Sequence, residues 1–211
     1  MNTLKPIEEL YHKLQVYADL EEAREYYTII KTNFADQRWS VYKHAERLTK
    51  EAWYGFEDVD YAVAPGGWAL QTHLETDDVC APWIVDTYNP VHRAHNPMIF
   101  GFAEKLLKKI PIAKWLSISE TPAGGGIVSH QDSHWHIHLP LYSPEKSFLT
   151  WDNENKEPVH WKHFPSDGSI YAWNTTEQHT VLNKSDDLRV HLFFKVEIKD
   201  VPELLKISGK I

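Results

Sequence analysis

Residues 130–141 read HQDSHWHIHLPL, and five alternate positions carry side chains that bind metal: His130, Asp132, His134, His136 and His138. Strand side chains alternate faces with a period of two. An unbroken strand would therefore line one face with all five, too many for one ion. His130 and Asp132, spaced i and i+2, suit one face of a strand or its end. A third ligand has to come from elsewhere, because three facial ligands do not fit on one flat strand. His179 is the best candidate: it follows SIYAWNTTEQ, which reads as a strand and a turn, and precedes the short segment TVLN. Two histidines and one carboxylate form the facial triad of non-haem iron(II), which leaves positions open for cosubstrate and oxygen. A His-x-Asp pair alone carries little weight in a chain with thirteen histidines.

The elements that position these residues fall into two styles. Leu4, Ile7, Leu10, Tyr11, Leu14 and Tyr17 recur at helical spacing, with Pro6 in the first turn and Glu8 and Glu9 near the positive end of the helix dipole. A second helix is expected over residues 20–31, and residues 36–50 are ambiguous. PGGW at 65–68 reads as a turn and WALQTHLE at 68–75 as a strand. HNPMIFGFAEKLLKKIP at 95–111 reads as a helix, with Asn96 as cap, Pro97 at the first position and Pro111 beyond the end. From residue 113 the pattern becomes short strands and turns: AKWLSISE, IVSH, HWHIHLPL, SFLTW, PVHWKHF, SIYAW and LRVHLFFKVEI. Pro140 ends or edges its strand. GGG at 124–126 leads into a strand and lacks a following Lys-Ser/Thr, so it is a tight turn and not a phosphate loop. Short strands after helices imply a mainly β sandwich or jelly roll with helices packed outside.

The 211 residues suit one domain spanning 1–211, with a largely helical part at 1–50 and the jelly-roll core at 113–197. Hydrophobic residues make up 42% and charged residues 25%, and nine Trp, ten Tyr and eight Phe favour strands. A net charge of -8 argues against nucleic acid as a partner. Cys80 is the only cysteine, so no internal disulfide forms. No signal-peptide design opens the chain and no apolar run approaches a membrane span, so a cytoplasmic protein without a membrane partner is expected. Nothing here sets an oligomeric state.

The C-terminal half resembles the aspartyl/asparaginyl β-hydroxylase family, a branch of the Fe(II)/2-oxoglutarate dioxygenases that includes proline 3-hydroxylase-like enzymes. The resemblance runs through SISETPAGGGIVSHQD, HIHLPL and DGSIYAWNTTEQHTVLNKSDDLRVHLFF, roughly residues 115–195. It implies a double-stranded β-helix of the cupin-like, jelly-roll kind with N-terminal and flanking helices. It implies that His130, Asp132 and His179 are the iron ligands. Arg189 then grips the distal carboxylate of 2-oxoglutarate, a role that suits a planar, charged guanidinium. Ser119 is a second hydrogen-bonding group for the cosubstrate, His138 serves the same ligand, and Asn174 shapes the approach to His179. The cofactors implied are Fe(II), 2-oxoglutarate and O2. Some members lack the metal-binding carboxylate. Asp132 is present here, which favours hydroxylation over halogenation. Relatives often carry arginine where His136 stands, and a histidine there is shorter and only sometimes charged.

The candidate substrate contacts are His134, His136, Trp173 and Arg93. His191 shares a strand face with Arg189 and either lines the pocket or packs as a core histidine. His160 and His163 read as surface residues. The expected activity is hydroxylation of a small carboxylated molecule such as a free amino acid, with succinate and CO2 as co-products. The alternatives are an Asp or Asn residue in a peptide or protein, a cupin-like metal-dependent isomerase, and a non-catalytic small-molecule binding module.

Overall fold

A computed structural model describes residues 5–33, 70–71, 102, 105–121 and 123–210. A short helix α1 (Ile7–Leu10) runs into strand β1 (Tyr11–Tyr17), followed by helix α2 (Leu20–Asn33). Then come β2 (Leu70–Gln71), β3 (Lys114–Thr121), β4 (Gly126–His130), β5 (Trp135–Tyr142), β6 (Ser147–Asp152), β7 (Pro158–Lys162), β8 (Ser169–Trp173), β9 (His179–Asn183) and β10 (Arg189–Val196). A 3-10 turn at Ile198–Asp200 leads into helix α3 (Val201–Ile207).

Two antiparallel sheets result, one ordered β1-β8-β5-β10-β3-β2 and the other β4-β9-β6-β7. Strands β3 to β10 alternate between the two sheets, except that β6 and β7 pair as neighbours within the smaller one, in the manner of a double-stranded β-helix, the fold expected from the sequence. The alternation of side chains explains why both faces of the larger sheet are covered. Ile137, Leu139 and Leu141 of β5 and Val190, Leu192, Phe194 and Val196 of β10 face one way. They form a core with Ala23, Tyr26 and Tyr27 of α2 and with Leu106 and Ile110. Each such aliphatic side chain stabilises by about 1.5–3 kcal/mol on burial. The intervening residues face the smaller sheet, where Tyr171 and Trp173 of β8 meet Leu149, Trp151 and Val181. The site lies between the sheets, on this second face.

The expected helix through Tyr17 is corrected. Only Ile7–Leu10 is helical, and Tyr11–Tyr17 is a strand. Its burial alternates, with His12 and Leu14 inside and Lys13 and Gln15 outside. It pairs with β8, Tyr11 opposite Trp173 and Lys13 opposite Tyr171. Pairing to a distant strand overrode a helical spacing that Tyr11, Leu14 and Tyr17 satisfy by coincidence. The second helix forms where expected, capped by the Asp19 Oδ1, which accepts from the amides of Glu21 (3.0 Å) and Glu22 (3.1 Å). Of the segment 95–111, residues 105–109 are helical as expected. Residues 36–50, the PGGW turn, Cys80 and Arg93 lie outside the described residues. Pro140 does not end β5, but β8 pairs with β5 only over His136–His138. Beyond that point β5 keeps one neighbour, β10, whose register shifts between Val190 and His191 opposite the proline. Among the described residues no helix is long and apolar enough to cross a membrane.

Gly168 fixes the approach of β1 to β8. It has φ +81°, and a Cβ there would sit 2.7 Å from the Ala18 carbonyl oxygen. The Ala18 amide also donates to the Gly168 carbonyl at 3.0 Å. Gly168→Ala is expected to lower unfolding free energy by about 1–3 kcal/mol, measured by urea denaturation. An unchanged midpoint would show that this turn can open without cost.

Candidate metal centre and cosubstrate pocket

Strands β4 and β9 are neighbours, and His130 and His179 are direct cross-strand partners. Their ring centroids lie 4.2 Å apart. After His130 the chain leaves the strand, and β5 begins at Trp135. The bend at Ser133–His134 breaks the alternation, so the five even-numbered side chains do not share one face of one strand. The Asp132 amide donates to the Thr175 carbonyl at 2.8 Å, which pins this loop to the turn before β9.

The Asp132 carboxylate reaches the centre of the histidine cluster. Its Oδ2 lies 4.0 Å from His130 Nε2, 3.7 Å from His179 Nε2 and 3.6 Å from His136 Nε2. That oxygen is buried and has no hydrogen-bond partner. The ligand atoms of His130, Asp132 and His179 all lie within 4.8 Å of one another. A metal with bonds of about 2.0–2.2 Å draws such donors together with small side-chain adjustments. His179 Nδ1–H donates to the Glu177 carbonyl at 2.8 Å, which leaves Nε2 as the lone-pair nitrogen on the inner side. A hydrogen bond of this kind orients a ligating imidazole and raises its basicity. An orphaned carboxylate oxygen among lone-pair nitrogens is a donor set that fits Fe(II).

The end of the pocket around Arg189 is built on β10, β3 and β5. One cavity is lined by Ser119, His138, Trp173, Arg189 and Phe193 together with His130 and His179. Arg189 is only 1% exposed. It donates to His191 Nδ1 at 2.9 Å and approaches Thr121 Oγ1 at 3.5 Å, and no carboxylate pairs with it among the described residues. Burial without an anion pushes the guanidinium down to about 9, still charged at neutral pH. An unpaired buried charge is costly and calls for an anionic ligand. His191 accepts from Arg189, so its Nδ1 carries no proton; His138 Nδ1 sits 3.3 Å from the same nitrogen. His191 is not among the residues that line the cavity; it holds Arg189 from behind. Ser119 lies opposite His191 in the β3–β10 register and is buried. Trp173 stands edge-on to His179, with ring centroids 4.6 Å apart, and walls this space.

Asn174 accepts through Oδ1 from the Thr176 amide at 3.1 Å and hydroxyl at 2.6 Å, the turn that leads to His179. His134 and His136 approach each other, Nε2 to Nε2, at 2.9 Å. His163 is half-buried, its Nε2 at 3.1 Å from the Ser143 carbonyl.

Two residues of the site carry no motif. Asp152 of β6 is buried and accepts from three hydroxyls: Ser129, Thr180 at 2.5 Å and Thr150 at 2.7 Å. Ser129 precedes His130 and Thr180 follows His179, so Asp152 ties together the two strands that carry these histidines. Burial raises its pKa while the hydroxyls oppose the shift. Lys195 lies opposite His136 in the β10–β5 register and is half-buried. Burial lowers its pKa, Asp132 opposes that shift, and no ion pair holds it among the described residues. The alternation of β10 was the available signal for it, since Arg189, His191, Phe193 and Lys195 share one face.

His136, His138, His179 and His191 are all held well below the usual histidine range, in each case chiefly by burial. Arg189 is the next cause for His138 and His191, the His138 imidazole for His136, and the His130 imidazole for His179. Neutral imidazole is the form that binds metal. The sign for stability follows: the unfolded chain takes up protons below about pH 6.5 that the folded chain refuses. The metal-free protein therefore keeps this stability above pH 6.5 and loses it as pH falls. Each histidine adds up to about 1.4 kcal/mol per pH unit to the slope. Urea midpoints measured between pH 7.5 and 5.5 are expected to drop steeply; a flat profile would mean that these imidazoles are already protonated when folded.

A sequence model of the aspartyl/asparaginyl beta-hydroxylase family matches residues 14–198. A comparison with curated proteins found no match. Similar solved structures include a cupin domain from Bordetella pertussis, at 18% identity over 39% of this chain and 80% of that one, with a TM-score of 0.33. A 2OG-Fe(II) oxygenase family oxidoreductase from Burkholderia pseudomallei is 13% identical over 40% of this chain and 44% of that one, TM-score 0.34. The ribosomal oxygenase YcfD from Escherichia coli is 13% identical over 51% of this chain and 30% of that one, TM-score 0.37. This chain spans less than half the length of the last two.

Proposed function

The chain belongs to the aspartyl/asparaginyl β-hydroxylase family, a family of dioxygenases, and from that premise we propose that it hydroxylates an unactivated carbon of a small carboxylated substrate such as a free amino acid. In this reading His130, Asp132 and His179 hold Fe(II), and Arg189 with Ser119 holds the distal carboxylate of 2-oxoglutarate. His191 holds the Arg189 guanidinium, and His138 lines the same cavity as Arg189. The carrying observation is Arg189 itself, a fully buried cation with no carboxylate partner among the described residues, opening onto the same cavity as the metal-binding histidines. When bound, Fe(II) and 2-oxoglutarate would activate O2, one oxygen atom going to the substrate as hydroxyl and the other to succinate, with release of CO2.

The protein's own contribution is placement. The Glu177 carbonyl sets the tautomer of His179, Asp152 holds β4 and β9 in register, and Trp173 keeps water from one side of the centre. His134, His136 and Lys195 face the substrate side in this reading. Lys195 supports the carboxylated class, because a half-buried ammonium without an ion pair favours an anionic partner. The family's name favours a second reading, an Asp or Asn residue of a peptide. A screen for 2-oxoglutarate-dependent succinate release over amino acids, short peptides and small carboxylates, with product mass, separates the two. The expected product is a free amino acid or small acid heavier by one oxygen atom. Turnover of peptides alone would overturn the small-substrate reading.

A further inference from the structure

The five alternate metal-binding side chain types of residues 130–138 leave a remainder, His134 and His136, once the triad and His138 are assigned. That remainder has a geometry of its own. Asp132, His134 and His136 form a second trio whose ligand atoms all lie within 4.8 Å of one another. The two imidazole Nε2 atoms are 2.9 Å apart, and His136 Nε2 is 3.6 Å from Asp132 Oδ2. Neighbouring donors of an octahedral ion with bonds of about 2.1 Å sit about 3.0 Å apart, so the histidine pair needs little movement to chelate. The rest of the pair is held in place. His136 is 8% exposed and packs on Phe193 at a ring distance of 4.9 Å. His134 Nδ1 lies 3.3 Å from the Ser133 hydroxyl, which steadies the ring. The His134 carbonyl accepts the Thr175 hydroxyl, fixing the bend that brings both rings together.

We propose that Asp132, His134 and His136 form a second divalent-metal site, sharing Asp132 with the triad and taking an imidazole-preferring ion such as Zn2+, Ni2+ or Cu2+. Two imidazoles and one carboxylate match that class of ion. A carboxylate bridges two ions about 3.5–4 Å apart without difficulty, one on each oxygen or both on one. Lys195 lies opposite His136 in the β10–β5 register, and its ammonium repels an incoming cation. The second site is therefore the weaker one and fills after the first. The triad's role in binding Fe(II) rests on the proposed function. Given that role, an ion in the second site draws Asp132 away from the triad and sits where substrate enters, so it inhibits the hydroxylase.

The test is stoichiometry and needs no activity. Metal-free protein is titrated with Co2+ and with Zn2+, following Co2+ absorption and calorimetry. Two ions per chain in two affinity classes are expected for the wild type. His134→Ala is expected to lose the weaker class and keep the tighter one, and His179→Ala the reverse, with folding of each checked by circular dichroism. One ion in the wild type and an unchanged titration in His134→Ala would overturn the second site and show that the two rings share only an N–H···N hydrogen bond. Two ions retained in His134→Ala would overturn it equally. Loss of the weaker class in His134→Ala with no class lost in His179→Ala would keep the second site and remove His179 from the first.

Discussion

Asp132→Ala is expected to eliminate hydroxylation and to weaken divalent-metal binding at the triad by more than about 100-fold. Loss of groups that merely orient a ligand costs about 10–100-fold, so loss of a charged ligand costs more. The structure supplies a control within the same variant. Asp132 Oδ2 makes no hydrogen bond, and its backbone amide holds the loop to Thr175 whatever the side chain. The metal-free variant should therefore unfold within about 1 kcal/mol of wild type by urea denaturation, since a carboxylate oxygen that makes no hydrogen bond contributes little to the fold. Its deficit would then lie in the metal site and not in the fold. Retained turnover would show that His130 and His179 suffice.

Arg189→Met is expected to separate binding from stability in the opposite way to an ordinary core substitution. A buried charge without a carboxylate partner is a burden on the metal-free fold, and replacing it by an apolar side chain of similar length is often neutral or stabilising by about 1–4 kcal/mol. The urea midpoint of Arg189→Met should accordingly match or exceed that of wild type. The 2-oxoglutarate requirement should rise sharply, because losing one partner of a buried charge pair costs about 2–5 kcal/mol, a factor of roughly 30 to several thousand. An unchanged 2-oxoglutarate KM would remove Arg189 from the cosubstrate site. His191→Leu, which leaves the guanidinium but takes away its 2.9 Å acceptor, should produce a smaller rise of the same kind.

The parts of this molecule that the sequence makes legible are those encoded within one strand. His130 and Asp132 are two residues apart, β5 announces both its faces by alternation, and the 105–109 helix carries its own periodicity. His179 was reachable because it opens a strand after a recognisable turn. The parts that stayed hidden depend on which strand lies next to which. Tyr11–Tyr17 becomes a strand because β8 offers a free edge. Asp152 matters because β6 is the neighbour of β9, which is the neighbour of β4. Lys195 reaches the site because β10 pairs with β5 at His136. None of these pairings leaves a local mark. His136 stands where relatives often carry arginine, and its structural position between Asp132 and His134 is what turns an apparent departure into a candidate metal ligand.

The most direct test of the Fe(II) and 2-oxoglutarate assignment is optical and requires no substrate. Metal-free protein is mixed anaerobically with Fe(II) and then with 2-oxoglutarate, and the visible spectrum is followed. The expected result is a metal-to-ligand charge-transfer band that needs both components and disappears in Asp132→Ala. In Arg189→Met it should return only at much higher 2-oxoglutarate. Folded, iron-loaded protein that gives no such band at saturating 2-oxoglutarate would contradict the assignment.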